Sequence, residues 1–447
     1  MSAKIPGPGR GETFLHLGMQ PFRRLPTFLA DIAERFGPVV RFEIPLRRFL
    51  FVNDPQLIKD VLVTQQHAFV KSEGGRALRR LLGNGLLTSE EPQHRQMRRI
   101  VQPAFHRERI AAYARSMLAH ARRWCEEHAA ETTIEMHPSM SELTLRIASE
   151  TLFGVDAGER AHAVRSALRA TMESYPSGIG PLGALRARLP FLPTTRRFND
   201  ARARLDEIVF GLIAERRAKP VSGGDALSLL IAAEDAEDGY RPSDRQVRDE
   251  ALTLFLAGHE TTANALLWTW YLLARNPEVE RRLHEEVDAA DFSRDPMELW
   301  ASLEYTRRVF RESMRLFPPA WIFGREARER VELVGGYEIE AGTTVLIAPL
   351  VLHRRPDIYP EPERFDPDRW LRGETPQFAY VPFGGGARRC IGEEFAWTEG
   401  VLVLATLARA FRFALCDDRE IETVALVTLR PKGPVAMRVT RRSSRGL

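Results

Sequence analysis

The stretch Phe383-Gly384-Gly385-Gly386-Ala387-Arg388-Arg389-Cys390-Ile391-Gly392 decides how the rest of the chain is read. Three consecutive glycines open backbone conformations closed to other residues and let the main chain approach a flat ligand. The cysteine stands directly before a helical pattern, where N-terminal amides and the helix dipole favour an anionic thiolate. A thiolate held this way is a good axial ligand for haem iron. Gly392 keeps the loop small beyond the cysteine, and Arg388 has the reach to meet a haem propionate. On the residues alone, other readings stand beside this one. Cys390 fits a buried structural thiol or a nucleophile at a helix N-terminus. A glycine loop also cradles phosphate, although the lysine of a phosphate loop is missing.

Outward from this loop, composition narrows the classes. The chain has 447 residues, 44% hydrophobic and 28% charged, which excludes disordered and collagen-like chains. Three cysteines (Cys125, Cys390 and Cys416) are too few for a disulfide scaffold and point to a reducing, cytoplasmic compartment. Of 64 basic residues all but Lys4, Lys59, Lys71, Lys219 and Lys432 are arginines, spread among 60 carboxylates for a net charge of +4. No clustered basic face or recognition motif suggests nucleic acid. Met1–Gly11 lacks the apolar run of a signal peptide, so no membrane anchor is expected. Ala251–Ala274 is long enough to span a bilayer. Yet His259, Glu260, Thr261, Thr262 and Asn264 fall near its middle, where polar groups are costly in lipid. It reads as a long protein-buried helix with a functional break.

The remaining pattern is mainly α with a minor β portion, in one domain over 1–447. An amphipathic stretch at Leu25–Phe36 precedes a strand pair, Val39–Ile44 and Arg48–Val52, split by Pro45. Helical pattern runs from Pro55 to Glu173, interrupted by an irregular piece at Glu73–Pro92. A Pro/Gly-rich apolar connection at Ser174–Pro193 suits a lid, and helix resumes to Ala218. A second helical block covers Asp244–Phe317, broken near Pro277 and Pro296. Strand-like pieces follow at Val331–Val334 and Thr343–Ile347, then a last helix from Ile391 to about Phe411. A terminal hairpin over Thr423–Thr440 is expected to turn at Pro431-Lys432-Gly433.

Phe383, Gly386, Arg388, Cys390 and Gly392 match, position by position, the cysteine-ligand signature of the cytochrome P450 family of haem-thiolate monooxygenases, and the resemblance extends over nearly the whole chain. Glu312 and Arg315 resemble the family's Glu-x-x-Arg pair, three apart on one helix face. Arg369 is the expected third member of that structural triad, on its spacing to Cys390, with Arg364 a solvent-exposed coincidence. Ala257-Gly258-His259-Glu260-Thr261-Thr262 resembles the oxygen-activation motif. By that likeness Gly258 leaves room beside iron, Thr261 hydrogen-bonds activated oxygen, and Glu260 relays protons. Thr262 reads as bonding locally to its own helix. His94 and Arg98, four apart, match positions of propionate contacts, as do Arg325 and Arg388. Phe383, Gly384, Cys390, Gly392 and Gly258 complete the expected haem contacts.

The resemblance implies a single triangular fold, with haem b between the long oxygen-activation helix and the cysteine loop. It implies monooxygenation, with O2 and with electrons from a separate ferredoxin or flavodoxin-type donor and its NAD(P)H reductase. No fused reductase is expected behind Cys390, given the short stretch that follows it. Pocket walls are expected from Leu86, Leu87, Leu254, Phe255, Ala257, Ala320, Trp321, Ile322, Phe323, Leu426 and Val427. They form an apolar set without a charged anchor. The expected substrate is therefore a terpenoid or carotenoid, a steroid or a fatty-acyl chain. A peroxide-driven enzyme and a non-catalytic haem sensor are the alternatives; neither needs the acid–alcohol pair Glu260–Thr261.

Overall fold

In the computed structural model of the chain, residues 5–17, 21–130, 132–154, 192–219, 225–235 and 237–442 are described, with isolated positions between 163 and 189. The connection at Ser174–Pro193 lies almost wholly outside them. Two compact units are formed. One comprises Met1–Glu73, Met117–Ser141 and Thr261–Leu447; the other comprises Gly74–Ser116 and Glu142–Glu260. The helix Asp244–Arg275 passes from one to the other between Glu260 and Thr261.

Among the described residues, all of the β structure lies in the first unit. Val39–Ile44 and Arg47–Val52 pair antiparallel about a Pro45-Leu46 turn, with Leu46 at φ 68°. Arg47–Val52 then pairs in parallel with Thr344–Ile347, which pairs antiparallel with Phe323–Ala327. Phe69–Lys71 closes this five-stranded sheet. One face packs Leu50, Val52, Val345 and Ile347 against Leu57, Ile58 and Leu62. A second sheet joins Thr133–Glu135, Ala436–Arg441 and Phe411–Leu415. The terminal hairpin departs from expectation. Thr423–Ala425 pairs with Leu429–Pro431, so the turn falls at Leu426–Thr428, and Ala436–Arg441 leaves for the second sheet. Tertiary partners fix that turn: the Trp321 indole donates to the Leu426 carbonyl at 2.9 Å and the Trp268 indole to the Leu429 carbonyl at 3.2 Å.

The helix Glu393–Ala410 runs through the centre of this unit, buried almost continuously from Thr398 to Ala408. A Cβ at Gly400 would sit 2.2 Å from the Phe310 ring, so this glycine permits the helix Glu304–Leu316 to pack directly on it. Each buried Leu or Phe in such a contact contributes about 1.5–3 kcal/mol.

The second unit is helical, with Gln93–Val101, Pro193–Ala218 and Ala226–Ala232 among its elements. The helix Asp244–Arg275 opens here with a capping box: the Ser243 amide and hydroxyl both donate to Gln246 Oε1, at 2.9 and 2.7 Å. It ends where the Asn276 side-chain Nδ2 donates to the Leu272 carbonyl and Pro277 starts the next helix. Among the described residues no helix is long and apolar enough to cross a membrane.

Candidate functional site

The cysteine loop is shaped by backbone. Gly384 and Gly386 have φ of 70° and 68°, a region that side-chain-bearing residues rarely adopt. A Cβ on Gly386 would lie 1.8 Å from the Leu62 carbonyl oxygen. That oxygen belongs to a π-helical turn, Asp60–Thr64, and the adjacent Gln66 side chain accepts the Ala387 amide at 3.1 Å. A 3-10 turn over Gly386–Arg388 follows, and the Cys390 amide donates back to the Phe383 carbonyl at 3.0 Å. Arg389 is drawn off by Glu393, at 2.6 and 2.7 Å. Cys390 emerges exposed from this cradle, two residues before Gly392 caps the helix.

The other thiols differ in setting. Cys125 is buried against the Thr406 carbonyl, and burial pushes its thiol up to about 12. Cys416 is exposed and follows the strand Phe411–Leu415. Only Cys390 combines exposure with a glycine-lined backbone. Among the described residues no group of three or more His, Cys, Asp or Glu side chains could hold a bare metal ion. The donor set of the loop is one thiolate, which suits an iron already held by a macrocycle.

From Ala251 to Leu273 the central helix is buried at every position except Ala257, Gly258 and Thr261. These lie on one face, at spacings of one and four residues. The accessible patch of this helix therefore consists of a methyl group, a bare backbone and a hydroxyl. Glu260 and His259 beside them are buried. Gly258 also serves packing, because a Cβ there would meet Leu152 at 3.3 Å. The His259 carbonyl accepts the Thr144 hydroxyl at 2.9 Å, and its ring bonds the Phe255 carbonyl at 2.8 Å.

Glu312, Arg315 and Arg369 are brought together. Glu312 and Arg315 are both 0% exposed and pair bidentately at 2.9 and 3.0 Å. Arg315 donates further to the carbonyls of His353, Pro362 and Arg364 at 2.7–3.1 Å. Arg369 Nε reaches Glu312 at 3.2 Å. Arg364 instead pairs with Glu361 at the surface. His353, behind the pair, accepts the Val381 amide at Nε2 (3.0 Å). Burial, with the Arg315 charge, pulls its pKa down to about 3, so the ring is neutral.

In the second unit His94 is buried, and its Nδ1 meets the Glu91 carboxylate at 2.9 Å, an arrangement that orients the ring. Arg98, on the same helix, is half-buried, as are Arg388 and Arg325 in the first unit. Of the expected pocket residues in the second unit, Leu254, Phe255 and Leu86 are buried, whereas Leu87 and Ala257 are exposed. In the first, Ala320 and the hairpin tip, Leu426 and Val427, are exposed, and Ile322 and Phe323 are half-buried. Trp321 is fully packed against Ala425 and Leu429 and anchors that hairpin through its indole.

One acidic residue escaped the sequence reading. Glu399, nine residues after Cys390, is 0% exposed, and neither carboxylate oxygen has a well-formed hydrogen bond. Burial raises its pKa well above the carboxylate range, and the Thr262 hydroxyl opposes that shift only in part. Glu399 lies on the helix Glu393–Ala410, and Thr262 on the helix Asp244–Arg275.

Comparison with known proteins agrees with this geometry. The sequence model of the family described as Cytochrome P450 matches residues 5–436. Cyclooctatin synthase of Streptomyces melanosporofaciens is 42% identical, over 92% of this chain and 90% of its own length. Pentalenene oxygenase of Streptomyces avermitilis is 34% identical, over 95% and 94%. Among solved structures, the haem domain of cytochrome P450DA superposes with a TM-score of 0.89 at 28% identity, covering 99% of both chains.

Proposed function

The chain belongs to the cytochrome P450 family, and on that premise we propose that it hydroxylates a terpenoid, using electrons delivered by separate proteins. The protein is a monooxygenase with thiolate-ligated haem b. The observation that carries the reading is the accessible face of the central helix, limited to Ala257, Gly258 and Thr261 beside the buried Glu260.

When bound, the haem supplies reductive activation of O2 and transfer of one oxygen atom to carbon. Cys390 Sγ would ligate the haem iron, and the Phe383–Gly384 backbone and Gly392 would keep the loop thin enough for a macrocycle to lie on it. Arg98, Arg388 and Arg325 neutralise the propionates, and His94 donates a hydrogen bond with its ring steadied by Glu91. Gly258 leaves space for O2 where any side chain would project. Thr261 Oγ1 would offer a hydrogen bond at the accessible helix face, and the Glu260 carboxyl would relay protons to that hydroxyl. The buried triad of Glu312, Arg315 and Arg369 keeps the loop's surroundings rigid.

Substrate class rests on two supports: the apolar character of Leu86, Leu87, Leu254, Phe255, Ile322, Phe323 and Val427, and relatives named for cyclooctatin and pentalenene. A cytoplasmic ferredoxin or flavodoxin with its NAD(P)H reductase is the matching electron source. The test is a panel of cyclic sesquiterpenes, diterpenes and their alcohols, set against fatty acids and steroids. At least one terpenoid is expected to shift the haem spin state and to gain one oxygen atom on reconstitution with a ferredoxin couple. A spin shift confined to fatty acids or steroids overturns the substrate class. Turnover with peroxide but none with electron donors favours the peroxide-driven alternative.

A further inference from the structure

Three consecutive charged residues on the central helix, Arg248, Asp249 and Glu250, are all buried, Glu250 to 1% exposure. Burying three charges side by side is costly unless each is hydrogen-bonded. Their partners share one purpose. The Asn84 amide donates to Asp249 Oδ2 at 2.7 Å, and the Leu86 amide donates to Glu250 Oε2 at 2.9 Å. Arg248 donates to the Leu81 carbonyl at 3.2 Å while paired with Asp206 and Asp249. Each of these three contacts to the segment 81–86 is to its backbone.

The segment is built to accept this grip. A Cβ on Gly83, at φ 66°, would fall 2.2 Å from the Asp249 carboxylate; one on Gly85 would fall 2.3 Å from Thr253 Oγ1. From the other side, Arg79 donates to the Thr88 carbonyl at 2.9 Å, and the Thr88 hydroxyl donates to the Gly83 carbonyl at 2.8 Å. Hydrogen bonds to charged groups are stronger than those between neutral partners, which suits them to hold a short irregular segment in one conformation.

We propose that Arg248, Asp249 and Glu250 form a backbone clamp that fixes Leu86 and Leu87 as a rigid wall of the substrate pocket, making them positioning residues for selectivity. The proposal rests on the reading of Leu86 and Leu87 as pocket residues. Because the clamp holds only main chain, side chains at 86 and 87 are free to vary without loss of the wall's position. The helix that carries Gly258 and Thr261 thereby also carries the register of the pocket segment, ten residues earlier.

The test uses the haem-loaded protein with two azoles, imidazole and the bulkier 4-phenylimidazole, together with hydrogen exchange of peptides covering residues 79–90. Glu250→Met removes the acceptor at similar volume; Glu250→Gln keeps an acceptor oxygen. In E250M, exchange at 79–90 is expected to accelerate while the helix Glu393–Ala410 is unchanged. Its Kd for 4-phenylimidazole should rise about 10-fold, equivalent to about 1.4 kcal/mol, with imidazole binding unaltered, and E250Q should restore both. Gly85→Ala, which pushes the segment off Thr253, should reproduce E250M and serves in its place if that variant does not fold. Unchanged exchange overturns the clamp. Faster exchange with the two azoles affected equally, or not at all, overturns the role in selectivity. Wild-type protein that binds neither azole counts against the pocket itself, a failure distinct from that of the clamp.

Discussion

Single atoms decide much of this site. At Gly386 the left-handed backbone alone would cost another residue about 1–3 kcal/mol, and its Cβ would overlap the Leu62 carbonyl oxygen at 1.8 Å. Gly386→Ala is therefore expected to yield protein that retains little haem, measured as haem absorbance per chain, whereas Gly433→Ala, in open space, should retain it fully. Glu399 makes a prediction of opposite kind. Its folded pKa lies above the ordinary value of 4.5. Above that pH the unfolded chain releases a proton that the folded chain keeps, so stability from this group is present at low pH and is lost as pH rises. In Glu399→Gln there is no proton to lose. The difference in melting temperature between variant and wild type should shift in the variant's favour from pH 5 to pH 8; a constant difference would contradict the raised carboxyl pKa.

At the scale of elements, the triad ties the helix Glu304–Leu316 to the irregular chain around Pro360–Arg369. Removing one member leaves a buried charge uncompensated, so Glu312→Ala should destabilise the fold by about 3–5 kcal/mol, read from denaturant unfolding, while Arg364→Ala should change little. The pair and Arg369 were legible through the resemblance to the family's Glu-x-x-Arg motif and its spacing to Cys390. The central helix and the strand pair at Val39–Val52 were legible from their hydrophobic pattern. What was hidden depends on distant partners. The strand Phe323–Ala327 contains a glycine and two charges and shows no alternation, and it exists because Thr344–Ile347 and Phe69–Lys71 flank it. The terminal turn was misplaced because Pro-Lys-Gly is a stronger local signal than Leu-Val-Thr, and tryptophans far away in sequence overrode it. The burial of Asp249 and Glu250 was not legible either, since nothing local reveals acceptance of amides at Asn84 and Leu86.

For the whole molecule, the arginine surplus resolves largely into pairing. Arg281 lies between Glu278 and Glu285, Arg442 meets Asp288, and Arg217 meets Asp244. Such exposed pairs add about 0–1 kcal/mol each, so they set solubility more than stability. The arginines assigned to function are few by comparison. Of the residues proposed for the chemistry, Cys390, the triad and Thr261 belong to the first compact unit, and Gly258, Glu260, His94 and Arg98 to the second. All of it depends on a thiolate at Cys390. The most direct measurement is the carbon monoxide difference spectrum of the reduced, haem-loaded protein. A thiolate-type Soret band, abolished in Cys390→Ala and intact in Cys416→Ala, is the predicted result. A band of the neutral-ligand type in freshly prepared wild-type protein, or a thiolate band that survives in Cys390→Ala, would contradict the account.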